Sequence, residues 1–262
     1  MGERKSFLQI PRPFPCGLVI TDDASKMIAG IRNAEFDGAK AVALHTRLLP
    51  PSEKTAEGYR ALLANAHVPT MVIHYREKDR FTDEECAGFL QTAAQAGASA
   101  VDVMGDLFSP SDHELALAAD AVQRQKALIQ RLHALGVEVV MSSHMKDFLP
   151  KEQVLRHMEE MQRRGADLVK IVYSVNTQVQ LEDAVSAAFL LRRTLDVPFL
   201  QLCNGKYGLT QRYIAPLLGS ALSFGTHEFL PNGHAYQIPL FALKALYDCM
   251  YSHAGVGESP DA

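Results

Sequence analysis

Lys170 lies inside the apolar run Leu168-Val169-Lys170-Ile171-Val172, with no acidic residue within two positions to pair with it. Upstream, the mostly apolar run Val137 to Met141 ends in Ser142-Ser143-His144. Desolvation on a buried strand disfavours the charged form of an amine. A neutral amine is a nucleophile toward ketones, and a histidine on a neighbouring strand is suited to move the protons. The pair predicts imine chemistry. The competing reading is a structural lysine that pairs with Asp102 or Asp106.

Two further sets of residues suit a site. Arg47, Arg76 and Arg212 form a candidate carboxylate clamp, because a guanidinium binds a carboxylate through two parallel hydrogen bonds. Arg212 follows a loop that turns into a short helix, Gly208-Leu209-Thr210-Gln211-Arg212. His45, His74, His144 and Asp102 make an alternative zinc set, although the first strand ends in Ile20-Thr21-Asp22-Asp23 and lacks an H-x-H pair.

These residues need elements to hold them. Short apolar runs predict strands at 16–21, 39–48, 70–76, 99–104, 137–144, 167–173, 199–203 and 221–224. Helical patterns alternate with them at 24–36, 53–66, 82–96, 112–134, 151–164, 178–194, 208–217 and 237–251. Thr82 with Glu85 three residues on is a capping box, and Gly97, Gly136 and Gly165 sit where helices end before strands. Eight such units predict a single (β/α)8 barrel over 1–262, with loose ends at about 1–12 and 253–262. An open doubly wound sheet is disfavoured because no glycine-rich turn follows the first strand.

In a barrel the reactive residues gather at the carboxyl ends of strands. Those ends supply His45 and Arg47, His74 and Arg76, Asp102 and Met104, His144, Lys170, and Gln201 or Asn204, with His227, Asn232, His234 and Gln237 after the last strand. If Val169 and Ile171 pack under helices, a period of two turns Lys170 toward the barrel axis.

The bulk properties fit this picture. A chain of 262 residues, 47% hydrophobic, can bury one large core, and a net charge of -4 argues against nucleic acid as a partner. No apolar stretch is long enough to span a membrane, and the amino terminus lacks a signal peptide's apolar centre. Cys16, Cys86, Cys203 and Cys249 are far apart, as expected in a reducing cytoplasm.

From about residue 134 to 239 the chain resembles the type I 3-dehydroquinate dehydratases, Schiff-base lyases with a (β/α)8 fold. Ser142-Ser143-His144 through Leu149-Pro150 is similar to the family's S-Y-H-x-F-x-x-T-P segment, with His144 in the place of the catalytic histidine. Gly165-Ala166-Asp167-Leu168-Val169-Lys170-Ile171 is similar to the G-A-D-I-V-K-I strand that carries the imine lysine. Gly205, Gly208 and Arg212 fall on G-x-x-G-x-x-S-R, whose arginine grips the substrate carboxylate. Gly219-Ser220-Ala221-Leu222-Ser223-Phe224-Gly225 is similar to G-S-A-x-T-F-G, and Gln237-Ile238 to the end of the lid loop.

The first half departs from the family pattern. His45 stands where E-x-R-x-D has a glutamate that binds a substrate hydroxyl, while Arg47 matches. His74-Tyr75-Arg76 replaces T-x-R, and the following K-E-G-G glutamate, which orients the catalytic histidine, meets Asp79-Arg80-Phe81-Thr82. That acid is therefore lost or moved to Asp79. Met104 replaces the glutamate of D-x-E, Asn204 a methionine, and Gly233 the lid serine.

The resemblance implies a hydro-lyase that dehydrates 3-dehydroquinate, or a related carboxylated cyclic ketone, with Lys170 as nucleophile and His144 as proton carrier. Arg212, Arg76, Arg47, Gln237, His45 and Asn204 would bind the substrate. It further implies the shikimate pathway of aromatic amino acid biosynthesis, a cytoplasmic homodimer, and no cofactor or metal. The departures leave open a paralogue running imine chemistry on another keto acid, as aldolase or dehydratase, or a non-catalytic keto-acid-binding relative. A metal-dependent barrel hydrolase remains the more distant rival.

Overall fold

The computed structural model describes residues 4–77, 80–228 and 236–253. Strands β1 (Phe14–Ile20), β2 (Ala41–His45), β3 (Thr70–Ile73), β4 (Ala100–Met104), β5 (Glu138–His144), β6 (Leu168–Ser174), β7 (Phe199–Asn204) and β8 (Leu222–Thr226) are all parallel. Helices α1 (Ala24–Phe36), α2 (Ala56–Leu63), α3 (Asp83–Ala96), α4 (Ala119–Ala134), α5 (Lys151–Arg163), α6 (Gln178–Thr194), α7 (Gly208–Ile214) and α8 (Leu240–His253) alternate with them. A two-residue strand β9 (Ile238–Pro239), absent from the sequence-based expectation, pairs with β8.

The sheet runs β7-β6-β5-β4-β3-β2-β1-β8-β9 and curls into a (β/α)8 barrel. At the seam between β7 and β8, the Ala221 N–H donates to Phe199 O at 2.8 Å. Helices on the outside leave both sheet faces buried, which is why strands such as Ala41-Val42-Ala43-Leu44-His45 are buried throughout. Alternate residues then divide between two cores. Met71, Ile73, Leu168 and Val172 fill the interior, while Val101, Val169 and Ile171 pack under helices.

Local chemistry sets the element ends. Thr82 and Glu85 close a capping box at α3, and Thr177 and Gln180 close another at α6. Gly97 ends α3 at φ 113°, a backbone conformation that residues with a Cβ rarely adopt.

Two expectations are corrected. Residues 4–12 are tied down: Phe7 is fully buried edge-on to Phe14, and the Phe7 and Leu8 N–H groups donate to Glu138 Oε2 at 2.8 and 3.0 Å. Burying such a ring contributes about 1.5–3 kcal/mol, enough to hold a short segment. Residues 112–118, read as the start of a helix, form an irregular segment before α4. Their backbone groups bond elsewhere in the fold: Ala116 N–H donates to Gly105 O at 3.0 Å, Arg164 Nη2 to Ala116 O at 2.6 Å, and Ser143 Oγ to Glu114 O.

Candidate active site

A cavity of about 390 Å³ opens at the carboxyl ends of the strands, within the range of small-molecule sites. Its wall includes Lys170, His144, His45, Arg47, Tyr75, Glu114, Asn204, Arg212, Tyr236 and Gln237.

Lys170 sits midway along β6, paired in register with Ser142 of β5. Its side chain is 5% exposed and shares the interior face with Leu168 and Val172. Nζ donates to Asp102 Oδ2 at 3.1 Å and to the Tyr75 hydroxyl at 3.0 Å. That same Asp102 oxygen accepts the Tyr75 O–H at 2.7 Å, and Oδ1 accepts the Ser142 O–H at 2.5 Å. The aspartate pairing weighed from the sequence is therefore present; Asp102 is fully buried, while Lys170 lines the same cavity as His144.

His144 closes β5. Its Nδ1 is 3.0 Å from Glu114 Oε2, which also accepts the His144 backbone N–H at 2.6 Å. Burial alone would raise the Glu114 carboxyl, but the hydrogen bonds and charge of His144, with Lys170, outweigh it and hold it below its ordinary range. Glu114 adopts φ 45° in the segment before α4. Gly105 makes room for that segment: a Cβ there would come within 2.5 Å of Glu114 O and 2.7 Å of Ser143 Oγ. Asp79, the acid considered for this role, lies outside the described residues, as do Asn232, Gly233 and His234.

Arg212 is 6% exposed and unpaired with any carboxylate among the described residues. Its Nε donates to Cys203 O at 2.9 Å, Nη2 to Asn204 Oδ1 at 2.9 Å, and Nη1 to Gln237 Oε1 at 3.3 Å. Burial pushes the guanidinium down to about 10. A buried cation held only by neutral acceptors suits an incoming carboxylate.

Across the cavity, Arg47 is ion-paired with Glu77 and donates through Nη1 to His45 Nε2 at 2.9 Å. Arginine only donates, so Nε2 must accept and the proton of a neutral ring sits on Nδ1. Burial, reinforced by the Arg47 charge, pushes His45 well below its ordinary value, so the ring is neutral. The buried Nδ1 has no hydrogen-bond partner among the described residues.

Two sequence expectations are relocated. Arg76, expected in the carboxylate clamp, does not line the cavity: it pairs with Asp83 and, at 2.9 Å, with Asp106, and donates to Asp106 O at 2.8 Å. His74 turns outward against Phe81 and Phe89, and burial pushes it down to about 3. The four residues of the zinc set therefore do not converge, and no three potential ligands among the described residues cluster suitably for a metal. Three of the named wall residues, Tyr75, Glu114 and Tyr236, were missed by sequence reasoning. Tyr75 was legible, since Met71 and Ile73 point inward and a period of two continues to it. Glu114 carried no local signal.

The family description type I 3-dehydroquinase matches residues 16–254. The chain belongs to that family. A 3-dehydroquinate dehydratase of Klebsiella pneumoniae is 32% identical over 103 residues, covering 38% of this chain and 41% of that enzyme's own length. One from Salmonella paratyphi B is 26% identical over 211 residues, covering 80% and 81% of the two chains. The crystal structure of 3-dehydroquinate dehydratase from Geobacillus kaustophilus aligns at TM-score 0.79 and 18% identity, over 93% of both chains. The type I enzyme of Clostridium difficile, solved with covalently modified comenic acid, aligns at 0.78 and 17% identity over 92% of this chain and 93% of its own. At those identities the structural likeness speaks for the barrel alone. No helix among the described residues of this family member is long and apolar enough to cross a membrane.

Proposed function

We propose that this chain dehydrates 3-dehydroquinate, or a closely related carboxylated cyclic ketone, through an imine on Lys170. The observation that carries the reading is convergence on one cavity of a buried amine, a carboxylate-anchored histidine and an arginine without a carboxylate partner among the described residues. Lys170 condenses with the ketone, and the iminium withdraws electrons from the neighbouring carbon, making its C–H acidic. With Nδ1 held by Glu114, Nε2 of His144 is the nitrogen left to remove that proton and return one to the departing hydroxyl. Arg212 grips the carboxylate, with Asn204 and Gln237 setting its fork, so that the C–H meets His144. No step requires a metal or cofactor. The reading places the protein in the cytoplasm, as a homodimer serving the shikimate pathway.

Borohydride reduction in the presence of 3-dehydroquinate should add one ligand mass to the peptide containing Lys170. Lys170→Ala should abolish the adduct, and His144→Ala should allow it while stopping elimination. An adduct on another lysine would overturn the assignment.

A second reading, the same imine chemistry on a different keto acid, draws support from His45. The family's glutamate at this place accepts from a hydroxyl, whereas the neutral His45 ring has its Nε2 taken by Arg47 and its Nδ1 buried, so it offers a hydroxyl no free acceptor. A ring without a hydroxyl at that place, such as an oxo-substituted one, suits the cavity better. Comparing the trap across hydroxylated and oxo-substituted cyclic keto acids separates the two readings.

A further inference from the structure

Tyr75 lies two residues beyond β3, and its ring stands in the cavity wall between two histidines, with centroids 5.0 Å from His45 and 5.1 Å from His144. Its hydroxyl lies 3.0 Å from Lys170 Nζ, 2.7 Å from Asp102 Oδ2 and 3.0 Å from Ser142 Oγ. We propose that Tyr75, backed by Asp102, is a catalytic residue of imine formation, its hydroxyl carrying protons from Lys170 Nζ to the ketone oxygen. This rests on the imine reading above and assigns a step that reading left without a proton carrier.

Proton bookkeeping defines the task. An ammonium and a ketone become an iminium and water; nitrogen falls from three protons to one, and both lost protons end on the departing oxygen. In the first transfer Asp102 takes a proton from Nζ, and the nitrogen lone pair attacks the carbonyl carbon. The C–O π pair moves to oxygen, which takes the Tyr75 proton, and Asp102 reprotonates the phenol. In the second, the carbinolamine nitrogen gives its next proton to Asp102. Tyr75 again protonates the oxygen, the C–O bond breaks to release water, and the nitrogen lone pair forms the C=N bond. Both groups return to their starting states, so no outside acid or co-reactant is consumed.

Glu114 fixes the His144 Nδ1 and leaves a single nitrogen, which the proposed reading gives to the C–H proton and the departing hydroxyl. Two proton systems thus serve the cavity, each with its own carboxylate: buried Asp102 with Tyr75 at the amine, and Glu114 with His144 at the carbon acid. Burial, then the Asp102 charge, drives the Tyr75 phenol well above its ordinary range, which suits a group that passes protons on and is not left ionised. A purely structural tyrosine would need its ring in the wall but not its oxygen against the reacting nitrogen.

Tyr75→Phe keeps the ring and removes only the hydroxyl. The experiment measures how fast borohydride-trapped adduct accumulates on Lys170 with 3-dehydroquinate, alongside binding of quinate, the corresponding alcohol, which cannot form an imine. Loss of the carrier should slow adduct formation on the order of 100-fold, the lower range for acid–base catalysis, with quinate affinity within a few-fold of wild type. Asp102→Asn should slow trapping in the same way. Trapping by Tyr75→Phe at the wild-type rate would overturn the proposal, and so would a parallel loss of quinate binding, which marks a structural role. If the wild-type protein yields no Lys170 adduct while quinate binds, the imine reading itself fails and this proposal falls with it.

Discussion

Glu114 Oε2 accepts the backbone N–H of His144 at 2.6 Å and stands 3.0 Å from Nδ1 of the same residue, fixing both the strand end and the ring. The two residues are 30 positions apart and come from different strand–helix units. One carboxylate thereby chooses the tautomer of the proposed proton carrier and aims its other nitrogen at the cavity.

Glu114→Ala should lower turnover on the order of 10- to 100-fold, the scale on which misplacing a reacting group costs rate. Adduct formation on Lys170 should persist, because the amine has its own partners. Single-turnover quench with and without borohydride separates the steps. A variant that loses trapping and turnover together would remove Glu114 from the proposed role.

The arginines should divide by function. Arg212→Ala removes the cation that has no carboxylate partner among the described residues, and charged hydrogen bonds of this kind contribute about 1.5–3 kcal/mol, so KM should rise about 10- to 100-fold. Arg76→Ala strips the partner from half-buried Asp83 and buried Asp106 and should lower stability by about 1–3 kcal/mol while leaving KM within a few-fold. Steady-state kinetics beside urea melts make the comparison. A large KM effect at Arg76 would place it back in the binding site.

Acid should weaken the fold before the carboxylates titrate. Burial, then Lys54 and Arg80, pushes His74 down to about 3; burial, then the charges of His113 and Arg164, pushes His157 to about 4. Unfolded histidines titrate near 6.5, so below that pH the unfolded chain binds protons that the folded one refuses. Stability is therefore full above about pH 6.5 and falls as pH drops toward 4, by at most about 1.4 kcal/mol per unit for each ring. His157→Gln, which keeps a donor for the Ser143 hydroxyl now 2.8 Å from the ring, should flatten that slope in urea melts at pH 7.5 and 5. An unchanged slope in both His157→Gln and His74→Phe would show that neither ring enters the fold neutral.

His45→Glu should shift substrate preference toward hydroxylated ketones, because a carboxylate accepts where the neutral ring offers no free acceptor. The ratio of kcat/KM for 3-dehydroquinate over an oxo-substituted analogue should rise by at least about tenfold, corresponding to roughly one hydrogen bond. If the ratio stays put, His45 does not read the substrate.

Much of the barrel was legible in the chain because its signals are local. The capping box at Thr82, the glycine after α3 and eight apolar runs each depend on neighbours within a turn or a strand. Alternation across Leu168 to Val172 also carried the inward direction of Lys170 before any coordinates. Arg212, His144, Asn204 and Gln237 could be named by type and spacing, and they line one cavity.

Local pattern could not say which partner each side chain finds. The stretch from Asp112 to Ala118 has a helical composition, yet Gly105, Ser143 and Arg164 take its backbone groups and bend Glu114 to His144. Arg76 looked like a substrate ligand until Asp83 and Asp106 closed around it, and Tyr75 became a site residue through the oxygen of Asp102. Periodicity and capping are energies of adjacent residues, so the amino-acid order alone determined the elements and the face each presents. Pairing between charges 30 or more positions apart depends on how eight units curl around one axis, and only the assembled barrel decided it.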